Sequence, residues 1–285
     1  MITEDLVYGL TLSIIIKQKA RKVAAGYKNE ACGASFGLDT RANDDLILGG
    51  ALTVSNTKLL HKNFKSGDKT KINSLMFSIY GTQYLTDAWY ASGATSFGTN
   101  DVENIEKRGV PGQNNDLAYE KATGKYNSMS FSAETIFGYN HVMTQATITP
   151  IGGLRYTRVN NTGYKETGTT SQNLDVSTKA SDKFEVIVGA RVAGGVFDVN
   201  SMSVTPELHA FISHNLIGKN PKQQVKLEGV NELSIKSHKP IRTAYNVGVG
   251  VNAEFGMMKY GAGYDFQLAN KRFGHQGTLR VRVNF

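Results

Sequence analysis

Gly274-His275-Gln276-Gly277-Thr278-Leu279-Arg280-Val281-Arg282-Val283-Asn284-Phe285 is the last stretch of the chain, and from Thr278 onward it alternates strictly. On an extended strand Leu279, Val281, Val283 and Phe285 fall on one face, while Thr278, Arg280, Arg282 and Asn284 fall on the other. A strand that turns apolar residues to lipid and polar residues to a wet lumen is the repeating unit of a membrane β-barrel. A half-buried edge strand of a soluble sheet can carry the same pattern. Repetition along the rest of the chain is what separates the two.

The pattern does repeat. Leu46, Leu48, Gly50, Leu52 and Val54 oppose Ile47, Gly49, Ala51, Thr53 and Ser55. Phe184, Val186, Val188, Ala190 and Val192 oppose Lys183, Glu185, Gly189 and Arg191, and Tyr245 to Phe255 and Met258 to Phe266 behave alike. Tyr8, Leu10, Leu12, Ile14 and Ile16 form the outer face of a first strand on the same reading. About twelve such strands follow one another, and the connections between them alternate short and long. Asn43–Asp45, Thr82–Asp87, Asn140-His141, Gly194-Gly195 and Gly256 read as tight turns. Asn56–Thr70, Thr99–Gly124, Arg158–Ser177 and His214–Pro240 read as long polar loops. Phe197 and Val199 share one parity while Met202, Val204 and Leu208 share the other. That slip calls for a β-bulge near Asn200–Ser201 or for two separate segments. The expected architecture is an all-β, antiparallel transmembrane barrel of about twelve strands, over roughly residues 7–285, with short periplasmic turns and long extracellular loops.

Composition excludes several classes. The 285 residues contain no apolar run long enough for a membrane helix, and mean hydropathy is −0.30. A barrel is compatible with that value because alternating strands average to mild polarity. One cysteine, Cys32, excludes an internal disulfide framework, and it reads as a small wall residue. Six scattered histidines show no metal-binding spacing, so no cofactor or metal is expected. The net charge of +8 is concentrated in the loop segments, with no aromatic–basic interleaving, so nucleic acid is not an expected partner. Contact with anionic outer-leaflet lipid is the secondary reading of those charges. The inward charged residues Lys183, Glu185, Arg191, Glu207, Arg280 and Arg282 are expected to line a hydrated pore. His209, on the parity of Glu207, reads as a polar wall residue rather than a catalytic one, and no catalytic residue is expected.

Four features in order resemble one known family. Gly37-Leu38-Asp39 precedes a short turn into a glycine-rich strand, and Thr149-Pro150 leads to Leu154 and Tyr156. Gly163-Tyr164-Lys165-Glu166 follows, and Leu279 to Phe285 closes the series. The chain resembles the carboxy-terminal translocator β-domain of autotransporters (type V secretion), within the large surface-antigen, outer membrane protein B-like group of obligate intracellular bacteria. The resemblance implies a monomeric outer-membrane barrel that anchors and exports an upstream passenger, with lipopolysaccharide and the barrel-assembly machinery as partners. It also implies that Leu279, Val281, Val283 and Phe285 form the assembly signal. Leu6–Ile16 followed by Lys17, Lys19, Arg21 and Lys22 lacks the order of a secretory signal. At most six residues precede the first strand, too few for a pore-spanning helix at about 1.5 Å per residue. The expectation is therefore a translocator fragment without signal, passenger or pore helix. A free-standing outer-membrane pore or a lipid-active barrel enzyme is the alternative.

Overall fold

The computed structural model of the chain describes residues 4–20, 25–111, 117–199, 201–217, 222–227, 233–236 and 241–284. The elements in order are β1 (Glu4–Gln18), β2 (Tyr27–Asn43), β3 (Leu46–His61), a 3-10 turn at Asn63–Lys65, β4 (Lys69–Tyr84), β5 (Trp89–Pro111) and β6 (Leu117–Tyr139). They continue with β7 (His141–Val142), β8 (Ala146–Asn161), β9 (Tyr164–Thr167), β10 (Leu174–Thr178), β11 (Ser181–Gly194), β12 (Phe197–Val199) and β13 (Met202–Asn215). The last are β14 (Lys222–Leu227), β15 (Leu233–Lys236), β16 (Thr243–Phe255), β17 (Met258–Ala269) and β18 (Arg272–Asn284).

Twelve of these build one antiparallel wall in the order β1, β2, β3, β4, β5, β6, β8, β11, β13, β16, β17 and β18. The wall closes because β18 pairs with β1, placing Val283 opposite Leu6, Val281 opposite Tyr8 and Leu279 opposite Leu10. Closure leaves no edge of unpaired N–H and C=O groups, the condition for strands to cross hydrocarbon. The distribution of burial is inverted relative to a soluble protein. Phe36, Phe77, Phe97, Leu208 and Val249 are each about half exposed on the outer face, while Asp39, Ser128, Thr149 and Glu185 are buried. Apolar residues outside and polar residues inside is the arrangement a lipid-facing wall requires.

The strands are longer than alternation alone indicates. Thr99–Gly124 is not a loop: Thr99–Pro111 and Leu117–Gly124 are continuous β5–β6 ladder, paired from Trp89↔Tyr139 to Pro111↔Leu117. Asn56–His61, Arg158–Asn161, Tyr164–Thr167, Leu174–Thr178, Lys222–Leu227 and Leu233–Lys236 are likewise strand. These stretches project past the apolar band, where neither face must be greasy, so they pair without an apolar–polar alternation. Asn140-His141 is not the turn either. His141 and Val142 form β7 against Ile148 and Thr147, and Met143 N–H donates to the Ala146 carbonyl at 2.9 Å. Phe197–Val199 is a separate strand folded back on Met202–Val204, with Ser201 at φ 66°, which accounts for the parity slip. Asn200 itself lies outside the described residues. The last strand starts at Arg272, after the two-residue turn Asn270-Lys271, so one connection on the long-loop rim is short.

A bulge corrects the first strand. Thr11 pairs with Thr278 but Ser13 pairs with Gly277, so Leu12 is an extra residue. Beyond it, Ile15 takes the outward register of His275, and Ile14 and Ile16 oppose Gln276 and Gly274 on the inner parity. One inserted residue moves every later side chain to the opposite face.

Candidate functional site

The inner wall carries the chemistry. Register places Lys183, Glu185, Arg191, Glu207, Arg280 and Arg282 on the face opposite the exposed apolar residues. Lys183 Nζ lies 2.7 Å from Glu185, whose side chain is almost fully buried. Arg191 Nε lies 3.5 Å from Glu207, which also accepts a hydrogen bond from Asn252 Nδ2 at 3.3 Å. Arg282 donates to Asp39, and the Tyr80 hydroxyl donates to the other oxygen of that carboxylate at 3.0 Å. Residues 39, 80 and 282 lie on β2, β4 and β18, so this belt crosses the β1–β18 seam.

Partners that the charge pattern alone does not reveal complete the wall. Arg155 on β8 is ion-paired with Glu134 on β6, and Lys259 Nζ is 3.0 Å from Glu254. His209 Nε2 sits 2.8 Å from Asp265, and its ring stacks on Phe211 with centroids 5.0 Å apart. His209 therefore pairs with a carboxylate two strands away, not with Glu207 on its own strand. Two glycines make these contacts possible by lying beneath them. A Cβ at Gly248 would stand 2.3 Å from His209 Nε2, and one at Gly49 would stand 2.6 Å from the Tyr80 ring. Gly250, Gly261 and Gly263 floor a recess of about 60 Å³ walled by Glu207, His209, Asn252, Asp265, Thr278 and Arg280. Among the described residues no group of three or more His, Cys, Asp or Glu could hold a metal ion. The ion pairs on the inner face hold these charges together away from hydrocarbon, where an unpaired charge is costly.

A small sheet of β9, β10, β14 and β15 stands beyond the wall and joins it where Thr167 pairs with Thr123 and Glu166 with Gly124. Val102, Val110 and Ala122 are buried on the inward parity of β5 and β6, the same parity from which Arg108 and Glu120 reach Glu166 and Thr170, so the sheet lies on the lumen side of that hairpin. Arg108 pins it there by donating to Glu166 at 2.8 and 3.0 Å and to Glu106. Glu166 also accepts from Leu174 N–H at 3.1 Å, and Lys65 Nζ reaches Glu106 at 3.1 Å. Burial opposes ionisation of Glu106, but hydrogen bonds and charge from Arg108 and Lys65 outweigh it and hold its carboxyl below the ordinary range. The rings of Tyr126 and Tyr164 stack at 4.7 Å, and burial raises both phenols.

Cys32 is an exposed wall residue on the outward parity. Leu279, Val281 and Val283, which the family resemblance implies as the assembly signal, occupy β18, where they pair with β1 and β17; Phe285 lies outside the described residues.

Comparison with known proteins agrees with this geometry. The autotransporter β-domain family model matches residues 15–272. The chain is 39% identical over 274 residues to outer membrane protein B of Rickettsia prowazekii, covering 95% of this chain and 17% of that protein's length. Among solved structures, the translocator domain of autotransporter NalP from Neisseria meningitidis aligns with a TM-score of 0.79 at 16% identity, over 99% of this chain and 88% of that one. The β domain of the Bordetella autotransporter BrkA aligns at 0.67 and 13% identity, over the whole of both chains. The likeness to these two shows the fold; the family match over most of the sequence shows more. This chain belongs to the autotransporter β-domain family, and it is an outer-membrane β-barrel.

Proposed function

We propose that the chain is the translocating anchor of a surface protein, holding its passenger to the outer membrane and passing it through the lumen. The observation that carries this reading is the closed wall whose inner face is polar and charge-paired while its outer face is apolar. A hydrated lumen lined by Lys183, Glu185, Arg191, Glu207, Arg280 and Arg282 tolerates an extended polypeptide, because every backbone N–H and C=O it brings can stay solvated. Paired charges give such a surface little net attraction for any one sequence, which suits transit rather than tight binding. The rim bearing the small sheet faces outward, and the tight turns face the periplasm. The barrel works as a monomer without a catalytic or cofactor centre, and the assembly machinery inserts it by reading β18.

The test is display. A signal peptide, a reporter and a helical linker are fused ahead of Glu4, and reporter exposure is measured by antibody binding to intact cells. The reporter should be exposed, and protease added outside should cut in residues 216–242 while sparing Asn43–Asp45. An assembled barrel whose reporter stays in the periplasm would overturn the proposal.

A further inference from the structure

We propose that the outer wall across β3 to β8 binds one molecule of a phosphorylated, multiply acylated outer-leaflet glycolipid. Two adjoining grooves carry the argument. The lower, about 420 Å³, is lined by Leu52, Leu75, Phe77, Phe97, Met129 and Phe131, with Arg158 and Asn160 at its β8 end. The upper, about 440 Å³, is lined by Lys71, Asn73, Asp101, Glu103, Lys125 and Asn127.

Register makes the two grooves one continuous slope. Leu52, Phe77, Phe97, Phe131 and Arg158 form a single cross-strand row, and Val54, Leu75, Thr99, Met129 and Asn160 form the next. Each row begins apolar and ends on a polar residue of β8. Thr99 is the short side chain between Leu75 and Met129, so it opens a hollow over the Phe97–Phe131 pair, whose rings lie 5.0 Å apart. Directly above run Asn56, Asn73, Asp101 and Asn127, then Lys58, Lys71, Glu103 and Lys125. The hollow suits an acyl chain, which gains by leaving neighbouring lipid only where the surface is concave and complementary.

The polar groove selects the head group. Two asparagines and Asp101 offer donors and acceptors for sugar hydroxyls, and Lys71, Lys125 and Arg158 offer charge for phosphate. The local anions are Asp101, Glu103 and Asp182. Glu103 engages both lysines, at 2.9 and 3.4 Å, and Asp182 engages Arg158 at 3.4 Å. These contacts are exposed, with the Lys125 and Arg158 side chains 74% and 54% accessible, so a phosphate can replace them at little cost. Phosphatidylglycerol brings one phosphate and the two hydroxyls of its head-group glycerol to this groove, whereas a diphosphorylated disaccharide brings two phosphates and a larger set of sugar hydroxyls to the cations and the asparagine row. The assignment rests on the long-connection rim facing outward, which the protease experiment tests separately.

The experiment uses the refolded full chain in detergent, titrated with hexa-acyl diphosphoryl lipid A and, in parallel, with phosphatidylglycerol. Bound lipid is counted by native mass spectrometry. One lipid A per barrel should be retained in preference to phosphatidylglycerol. Lys125→Ala and Arg158→Ala should each weaken binding about five-fold. Thr99→Trp, which fills the hollow, should abolish it, whereas Val249→Trp on the far wall should leave it unchanged. All variants should melt with the parent barrel. Equal retention of the two lipids, indifference to Thr99→Trp, or a barrel dimer that Thr99→Trp dissolves would each overturn the proposal.

Discussion

Arg108→Met should release the small sheet from the β5–β6 hairpin while leaving the membrane wall intact. Arg108 makes two hydrogen bonds to Glu166 and one to Glu106, and Glu166 has a side chain only 3% accessible. With the guanidinium gone, Glu166 keeps the Leu174 N–H and, among the described residues, no cation. Removing one partner of a buried pair costs about 3–5 kcal/mol. Arg108 and Glu106 are partly hydrated, at 17% and 21%, which puts the cost near the lower bound, about 3 kcal/mol. That is roughly a hundred-fold rise in local opening at 1.36 kcal/mol per decade. Hydrogen exchange read by mass spectrometry should show it in Tyr164–Thr178 and Leu117–Gly124, with no change in Val247–Phe255. Adding Glu166→Gln to Arg108→Met should recover part of the loss, because the stranded charge is removed with its partner. Unchanged exchange, or an equal loss of protection throughout the barrel wall, would refute the reasoning.

Acid should loosen the same sheet. The Glu106 carboxyl lies below its ordinary value in the folded protein, so its contribution is fully present above about pH 4.3. The contribution is lost as pH falls through the lowered folded value, and protease sensitivity of residues 162–180 measured from pH 7 to 3 should rise only at the acid end. Cysteines at Val186, Val249 and Val281 should react with membrane-soluble labels, and cysteines at Glu185, Asn252 and Arg280 with water-soluble ones; equal reactivity of the two sets would sink the division of faces. Gly49→Val should part Tyr80 from Asp39, since even a Cβ at Gly49 lies 2.6 Å from both side chains; a lowered melting temperature of the refolded barrel checks it. Deleting Phe285 should reduce assembly in cells sharply while the purified barrel keeps nearly its parent melting temperature, and a matched loss in both would make Phe285 an ordinary wall residue.

The face on which a residue lies was readable from sequence, and its partner was not. Parity is a property of neighbouring residues, so Arg280 and Arg282 could be set against Val281 and Val283 from one stretch alone. Which carboxylate meets Arg282 depends on how far the whole wall is staggered when it closes, a quantity no single strand contains. Asp39 and Arg282 are 243 residues apart and come together only across the β1–β18 seam. The same distinction explains the misplaced residues. Ile14 and Ile16 continue an apolar run that keeps its local rhythm, and only pairing with Gln276 and Gly274 shows the bulge that turns them inward. Past the apolar band the local signal fails in another way. Lys58, Lys71, Glu103 and Lys125 occupy the outward positions in a row of four paired strands, yet Lys58 and Glu103 read as loop because water solvates both faces there. Hydrophobic patterning reports the solvent on each side of the wall rather than the wall itself. The ladder persists wherever neighbouring strands keep pairing, which is why the polar reach of β5 and β6 could carry both the small sheet and the charges that hold it.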